Sequence, residues 1–233
     1  RIVIVVCLAG AFIRTGNFMN SEILGLPTNN ENGVVFVRTV NDILKYRFDG
    51  RVDEITFHKR NSEATKYGVP ITIRMKYGSN VGVDEQSENN YYKSNVKSYL
   101  IGYEGIRNHI YQDPNVDLDY KIFRNGNTYY AEIYTMGIPR HPAQMYEALY
   151  CLLLFISLLS IWYFKRESLN DGFIFSIFMI ALWSLRILDE TLKENQVDWE
   201  ADIPLNMGQW LSIPMIILGL IIFYKTYPSK KSS

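Results

Sequence analysis

The chain has 233 residues, room for one or two domains, and carries 24 Lys+Arg against 24 Asp+Glu. Zero net charge argues against a nucleic-acid partner, which requires a basic face. The mean hydropathy of −0.07 hides an uneven distribution, with apolar residues crowded at both ends and polar ones in the middle.

The chain opens at Arg1 and runs at once into IVIVVCLAGAFI, residues 2–13. No small-residue cleavage site follows, which argues against a signal peptide. The run is expected to be the tail of a membrane helix, and the chain a C-terminal fragment. Cys7 here and Cys151 further on both sit in apolar runs, so free buried thiols are expected rather than a disulfide.

The next twelve residues, Arg14 to Gly25, read RTGNFMNSEILG and look like a polar loop leaving that helix. Asn17 and Asn20, three apart, can share a face and offer amide donors and acceptors. Gly16 and Gly25 permit tight bends. As spacing alone, this is equally a capped helix end.

Residues 34–137 are polar, rich in Tyr and Asn, and hold no spanning run. Alternation predicts strands in VVFVRTV, VDEITFHKR, VPITIRMKY and LDYKIFRNGNTYYAEIY. Asn125-Gly126 signals a type I′ hairpin within the last. A helix is expected from Asn89 to Gln112, with Tyr92, Val96, Leu100 and Tyr103 at helical spacing. His58 and His109 lie here with no partner spacing. The whole reads as a small α+β domain outside the membrane.

Residues 138–233 begin with PRHPAQMYE, Pro139 to Glu147. Pro142 suits a first helical turn. Three spans follow: Ala143 to Phe164, Gly172 to Leu188, and Trp210 to Tyr224 with aromatic flanks. Lys165, Arg166, Lys225, Lys230 and Lys231 mark the cytoplasmic side. The segments from Thr15 to Pro142 and from Asp189 to Gln209 then face outward. The fold class expected is an α-helical polytopic membrane protein with an inserted α+β extramembrane domain. Its parts are residues 1–33 (a helix end and loop), the insertion 34–137, and the three spans of 138–233.

Against this frame Arg14 and Arg186 are anomalous, since both sit at the outer ends of their spans. Charge there pairs with something or marks a site. Arg186 has Glu190 one turn away, so a local ion pair is one reading. Two arginines at one depth favour the other, an anion site, and phosphate is the natural anion for guanidinium. Glu147 entering a span is costly unless paired or functional. His141 is a candidate acid or base, although a lone His at a helix start is more often a cap. No paired cysteines, HExxH, Gly-rich nucleotide loop or GxSxG elbow occurs.

Taken together, these strings resemble the prolipoprotein diacylglyceryl transferase family. RTGNFMNSEILG resembles the family's signature loop, and Pro139 to Glu147 its PRHPxQxYE. Arg186 with Glu190 is similar to its RxxxE, and Met207 to Met215 to its MGQxLSxPM. The resemblance implies an inner-membrane, multi-pass enzyme with its site on the outer side and residues 34–137 in the periplasm. It implies phosphatidylglycerol as donor, the lipobox cysteine of a prolipoprotein signal peptide as acceptor, contacts with membrane lipids, and no cofactor, metal or nucleic acid. Arg14 and Arg186 would hold the leaving phosphate, with His141 as the chain's own acid or base. The family's His-Gly motif, which would carry the base, does not occur in this chain. Asn17, Asn20 and Gln144 would orient the headgroup, while Glu147 and Glu190 hold the arginines. Glu22, Gly25, Tyr146 and Gln209 complete the implied substrate site. Two competing readings remain at this stage. One is a membrane-anchored binding module on an inactive scaffold. The other, a transporter with an arginine-lined anion path, is disfavoured because residues 151–162 hold only serines as polar groups.

Overall fold

The computed structural model describes residues 1–28, 32–61, 63–78, 81–194 and 204–227. Lys230 and Lys231, and residues 195–203 of the expected outer loop, lie outside the described residues. The chain divides into two compact units: residues 1–26 with 141–233, and residues 27–140.

The first unit is helical: α1 (Ile2–Asn20), α6 (Ala143–Lys165), α7 (Phe173–Glu190) and α8 (Met207–Thr226), numbered in chain order. By length and composition, α1, α6 and α8 can each cross a membrane. The remaining helix, α7, is apolar until Arg186, Asp189 and Glu190 gather at its end. Ile4, Cys7 and Ala11 form the buried stripe of α1, at helical spacing. Ile4 and Cys7 pack with Leu154 and Leu158 of α6 and with Phe178 and Met179 of α7. Helices α7 and α8 approach closely through Gly219, where a Cβ would stand 2.9 Å from Met179 and Ile180. Cys7 and Cys151 are both free and buried, as expected from their apolar surroundings.

The second unit is α+β. Its antiparallel sheet runs β1 (Val52–Lys59), β2 (Val69–Tyr77), β5 (Thr128–Gly137) and β3 (Ile110–Tyr111), and β4 (Asp119–Asn125) also pairs with β5. Strand β5 buries Ala131, Ile133, Thr135 and Gly137, every second residue, which is the strand period facing a core. That core joins Ile73, Met75 and Ile133 of the sheet to Val40, Leu44, Tyr92, Val96 and Leu100 of the helices.

Three expectations for this unit are corrected. VVFVRTV is not a strand: Val34 makes an isolated bridge to Arg140, and α2 (Arg38–Arg47) begins four residues later. Val40 and Leu44, four apart, are both fully buried, so the helical period governs the segment. The helix expected from Asn89 to Gln112 starts earlier and breaks into pieces. The Asp84 side chain caps α3 (Glu85–Tyr91) at Ser87, and a π-turn (Tyr92–Val96) leads into α4 (Lys97–Gly102). Tyr103 is extended, α5 (Glu104–Arg107) is one turn, and residues 110–111 are β3. The hairpin has Asn125 paired with Thr128, so Gly126-Asn127 forms the loop. Positive φ falls on Gly126 (61°) and not on Asn127, which is the demand of a II′ turn rather than I′.

Candidate functional site

The segment read as a loop after the first span is helical as far as Asn20. Arg14 and Asn17 therefore sit on the last turns of α1. The helix closes through Ser21 in the left-handed region (φ 58°), with the Ser21 and Glu22 amides donating to the Phe18 and Asn17 carbonyls. Ile23 also has positive φ (55°), a costly conformation for a β-branched residue.

This tight exit threads the segment Glu22–Leu26 between two others. On one side, the Gln144 side-chain amide donates to the Glu22 carbonyl, and the His141 amide donates to the Leu26 carbonyl at 3.0 Å. On the other, the Leu26 amide donates to the Leu192 carbonyl at 2.8 Å, and Gly25 bridges to Lys193. Gly25 has no room for a side chain, since a Cβ would lie 2.3 Å from the His141 carbonyl oxygen. The start of α6, the exit of α1 and the end of α7 are thereby pinned to one another.

What they enclose is a cluster of buried charges. Glu147, 2% exposed, pairs through Oε2 with Arg14 Nε at 2.8 Å and through Oε1 with Lys193 Nζ at 2.5 Å. Lys193 Nζ also lies 3.1 Å from Asp189 and 3.0 Å from Glu190. Glu190 Oε1 is 3.7 Å from Arg186 Nε. Burial pushes the Lys193 ammonium towards neutrality, but the hydrogen-bonded Glu147 carboxylate, with Glu190 and Asp189, outweighs it and raises the pKa above the ordinary lysine value.

Beside this cluster is a cavity of about 130 Å³, lined by both Arg14 and Arg186, by Glu147 and Tyr150, and by Trp183. The Arg186 guanidinium lies 5.6 Å from the Trp183 ring centre. Trp183 Nε1 and Gln144 Oε1 are buried polar atoms without hydrogen-bond partners. The arrangement can hold an anion. It offers two guanidiniums, the cations whose geometry best matches phosphate, on one cavity.

The structure thus brings Arg14, Arg186, Glu147 and Glu190 together, with Gln144 adjacent. It does not bring in His141, which is half-buried and 3.4 Å through Nδ1 from the Tyr146 hydroxyl, and which does not line the cavity. Tyr146, Asn20 and the Glu22 side chain are exposed, and Asn17 is half-buried on α1. Gln209 is buried, where it donates to the Ile187 carbonyl and closes a capping box with Asn206. Among the described residues no group of three His, Cys, Asp or Glu is placed to hold a metal ion.

Sequence reasoning missed Lys193, Asp189 and Asn206. The Asn206 side-chain amide donates to the Glu190 carbonyl and to its carboxylate, at 3.2 and 3.3 Å. All three had local signals. Asp189 and Glu190 stand four and three residues before Lys193, the spacing of ion pairs on a helix. Asn206 with Gln209 has capping-box spacing.

Comparison with known proteins bears on the same residues. A family model described as prolipoprotein diacylglyceryl transferase matches residues 1–225. A phosphatidylglycerol–prolipoprotein diacylglyceryl transferase of Bacteroides fragilis is 47% identical over 94 residues, 40% of this chain and 34% of that protein. Its counterpart in Chloroherpeton thalassium is 36% identical over 90 residues, 38% of this chain and 33% of that protein. The chain matches about a third of the length of each. No solved structure matches it.

Proposed function

We propose, because the chain belongs to the prolipoprotein diacylglyceryl transferase family, that it supplies the phosphate-holding part of an enzyme acting on phosphatidylglycerol and a prolipoprotein. The reaction moves the diacylglyceryl group to the lipobox cysteine of the signal peptide. The thiolate sulfur attacks the glyceryl carbon, a C–S bond forms, the C–O bond to phosphate breaks, and glycerol phosphate leaves. The nucleophile belongs to the acceptor, so the enzyme needs no Ser or Cys of its own. What it must supply is fixed positive charge where the leaving phosphate gathers negative charge.

The observation that carries this reading is the cavity lined by both Arg14 and Arg186. The Arg14 guanidinium is tied at Nε to the Glu147 carboxylate, and Arg186 Nε faces the Glu190 carboxylate at 3.7 Å, beyond hydrogen-bond reach. A second observation supports a multi-pass arrangement with the site on the outer side of the inner membrane. The charged cluster gathers where α1 and α7 end and where α6 and α8 begin, whereas Lys165 and Lys225 lie at the far ends of α6 and α8. In this reading residues 34–137 form a periplasmic insertion, and the acyl chains of the donor lie among the membrane lipids.

The test uses membranes containing the natural polypeptide that carries these residues, mixed with phosphatidylglycerol and a lipobox peptide. Mass spectrometry of the peptide is expected to show a diacylglyceryl adduct. Arg14→Ala and Arg186→Ala are each expected to slow its formation by roughly 10²- to 10³-fold with the protein still folded. Wild-type rates in both variants would overturn the anion-site reading.

A further inference from the structure

We propose that Lys193 is the third cation of the anion site, a positioning residue that holds Arg14 and Arg186 available for phosphate. The inference rests on the proposed function and extends it to a residue outside the motifs that pointed there.

Counting charges in the cluster shows why a third cation is needed. Glu147 and Glu190 are the buried carboxylates that pair with the two arginines, and Asp189 is a third buried acid beside Lys193. Two guanidiniums against the two carboxylates they pair with leave no surplus positive charge to attract a phosphodiester. Lys193 adds that charge from within, with its ammonium in contact with all three acids at 2.5–3.1 Å.

The contacts also show how Lys193 acts through the arginines. It occupies Oε1 of Glu147, which leaves Oε2 for Arg14. It shares Oε1 of Glu190 with Arg186, and holds that oxygen at 3.0 Å while Arg186 Nε stays at 3.7 Å. With Lys193 gone, both carboxylates are released to close fully on their arginines, the bidentate geometry guanidinium favours. Each arginine would then be spent on an internal acid. The backbone fixes the lysine in place by the bridge between Gly25 and Lys193 and by the Leu26–Leu192 hydrogen bond. A merely space-filling role would not call for an ammonium, because an apolar side chain fills a buried site at lower desolvation cost.

The experiment compares Lys193→Met and Lys193→Arg in the natural polypeptide, measuring transfer rates against both substrates and folding by thermal unfolding. Lys193→Met is expected to raise KM for phosphatidylglycerol by roughly ten-fold or more, because misplaced binding groups carry penalties of that order. KM for the lipobox peptide is expected to stay near its wild-type value, and Lys193→Arg to restore most of the phosphatidylglycerol KM. A Lys193→Met enzyme that merely falls in amount, with an unchanged phosphatidylglycerol KM, overturns the proposal. If Lys193→Met does not fold, Lys193→Gln is read in the same way, and failure of both to fold assigns Lys193 to the fold alone. An inactive wild type indicts the proposed function instead, so the two failures are distinguishable.

Discussion

In the helical unit Phe12, Leu153, Phe164 and Ile221 are exposed, while Glu147, Asp189, Glu190 and Lys193 are buried. In the sheet unit the order reverses. Ile73, Tyr92 and Ile133 are fully buried, and Tyr46, Tyr67 and Val116 are the large apolar residues exposed among those described. One chain therefore satisfies two solvents. A continuous apolar surface is stable only against an apolar medium, and polar groups surrounded by that medium must pair with one another. The helical unit meets this demand by gathering its buried charges at one end. The sheet unit meets the opposite demand with an ordinary core, and its buried Glu88 is held by Arg51 and by the Tyr77 hydroxyl.

The largest effect that would sharpen this contrast comes from Glu147→Leu. The change leaves buried Lys193 and half-buried Arg14 without their shared carboxylate and is expected to cost about 3–5 kcal/mol. Thermal unfolding in detergent is the measurement, and a loss below about 1 kcal/mol would mean that the charge cluster is not a packed unit. Next is Ile73→Ala, which empties a fully buried position in the sheet core and should cost about 2–5 kcal/mol, read from denaturant unfolding by tyrosine fluorescence. Its counterpart on the lipid-facing surface, Leu153→Ala, is expected within about 0.5 kcal/mol of wild type, and equal losses at the two positions would erase the contrast.

The smallest effect is a pH dependence in the sheet unit. Burial pushes the Glu132 carboxyl up, but the hydrogen bond from Tyr134 and the Arg74 ion pair pull it further down, to below its ordinary value. The stability this adds is full above the unfolded-state pKa of about 4.3 and disappears as pH falls through the lower folded value. Glu132→Gln should therefore lower stability near neutral pH by at most about 1 kcal/mol and leave it unchanged in strong acid. A larger loss in acid than at neutrality would reverse the sign assigned to this group.

Much of this was legible in the sequence, for reasons that differ by region. Helices α1, α6 and α8 stand out because membrane length and apolarity are stringent demands, and VPITIRMKY forms β2 over the residues its alternation marks. VVFVRTV misled because four apolar residues in a row satisfy either period, and Val40 and Leu44 decide between them only through packing. Arg14, Arg186, Glu147 and Glu190 were legible as charges that a span tolerates only with partners. Lys193 was legible only in part. Its spacing marks Asp189 and Glu190 as partners, but Glu147 belongs to another helix and is brought beside it by the fold.

The most direct test is whether the two arginines together hold a phospholipid. Native mass spectrometry of the natural polypeptide in detergent, titrated with phosphatidylglycerol, is expected to show a retained lipid adduct. An Arg14→Ala, Arg186→Ala double variant that keeps its thermal unfolding transition is expected to lose the adduct. Equal retention of phosphatidylglycerol by wild type and the double variant would contradict an anion site built on Arg14 and Arg186.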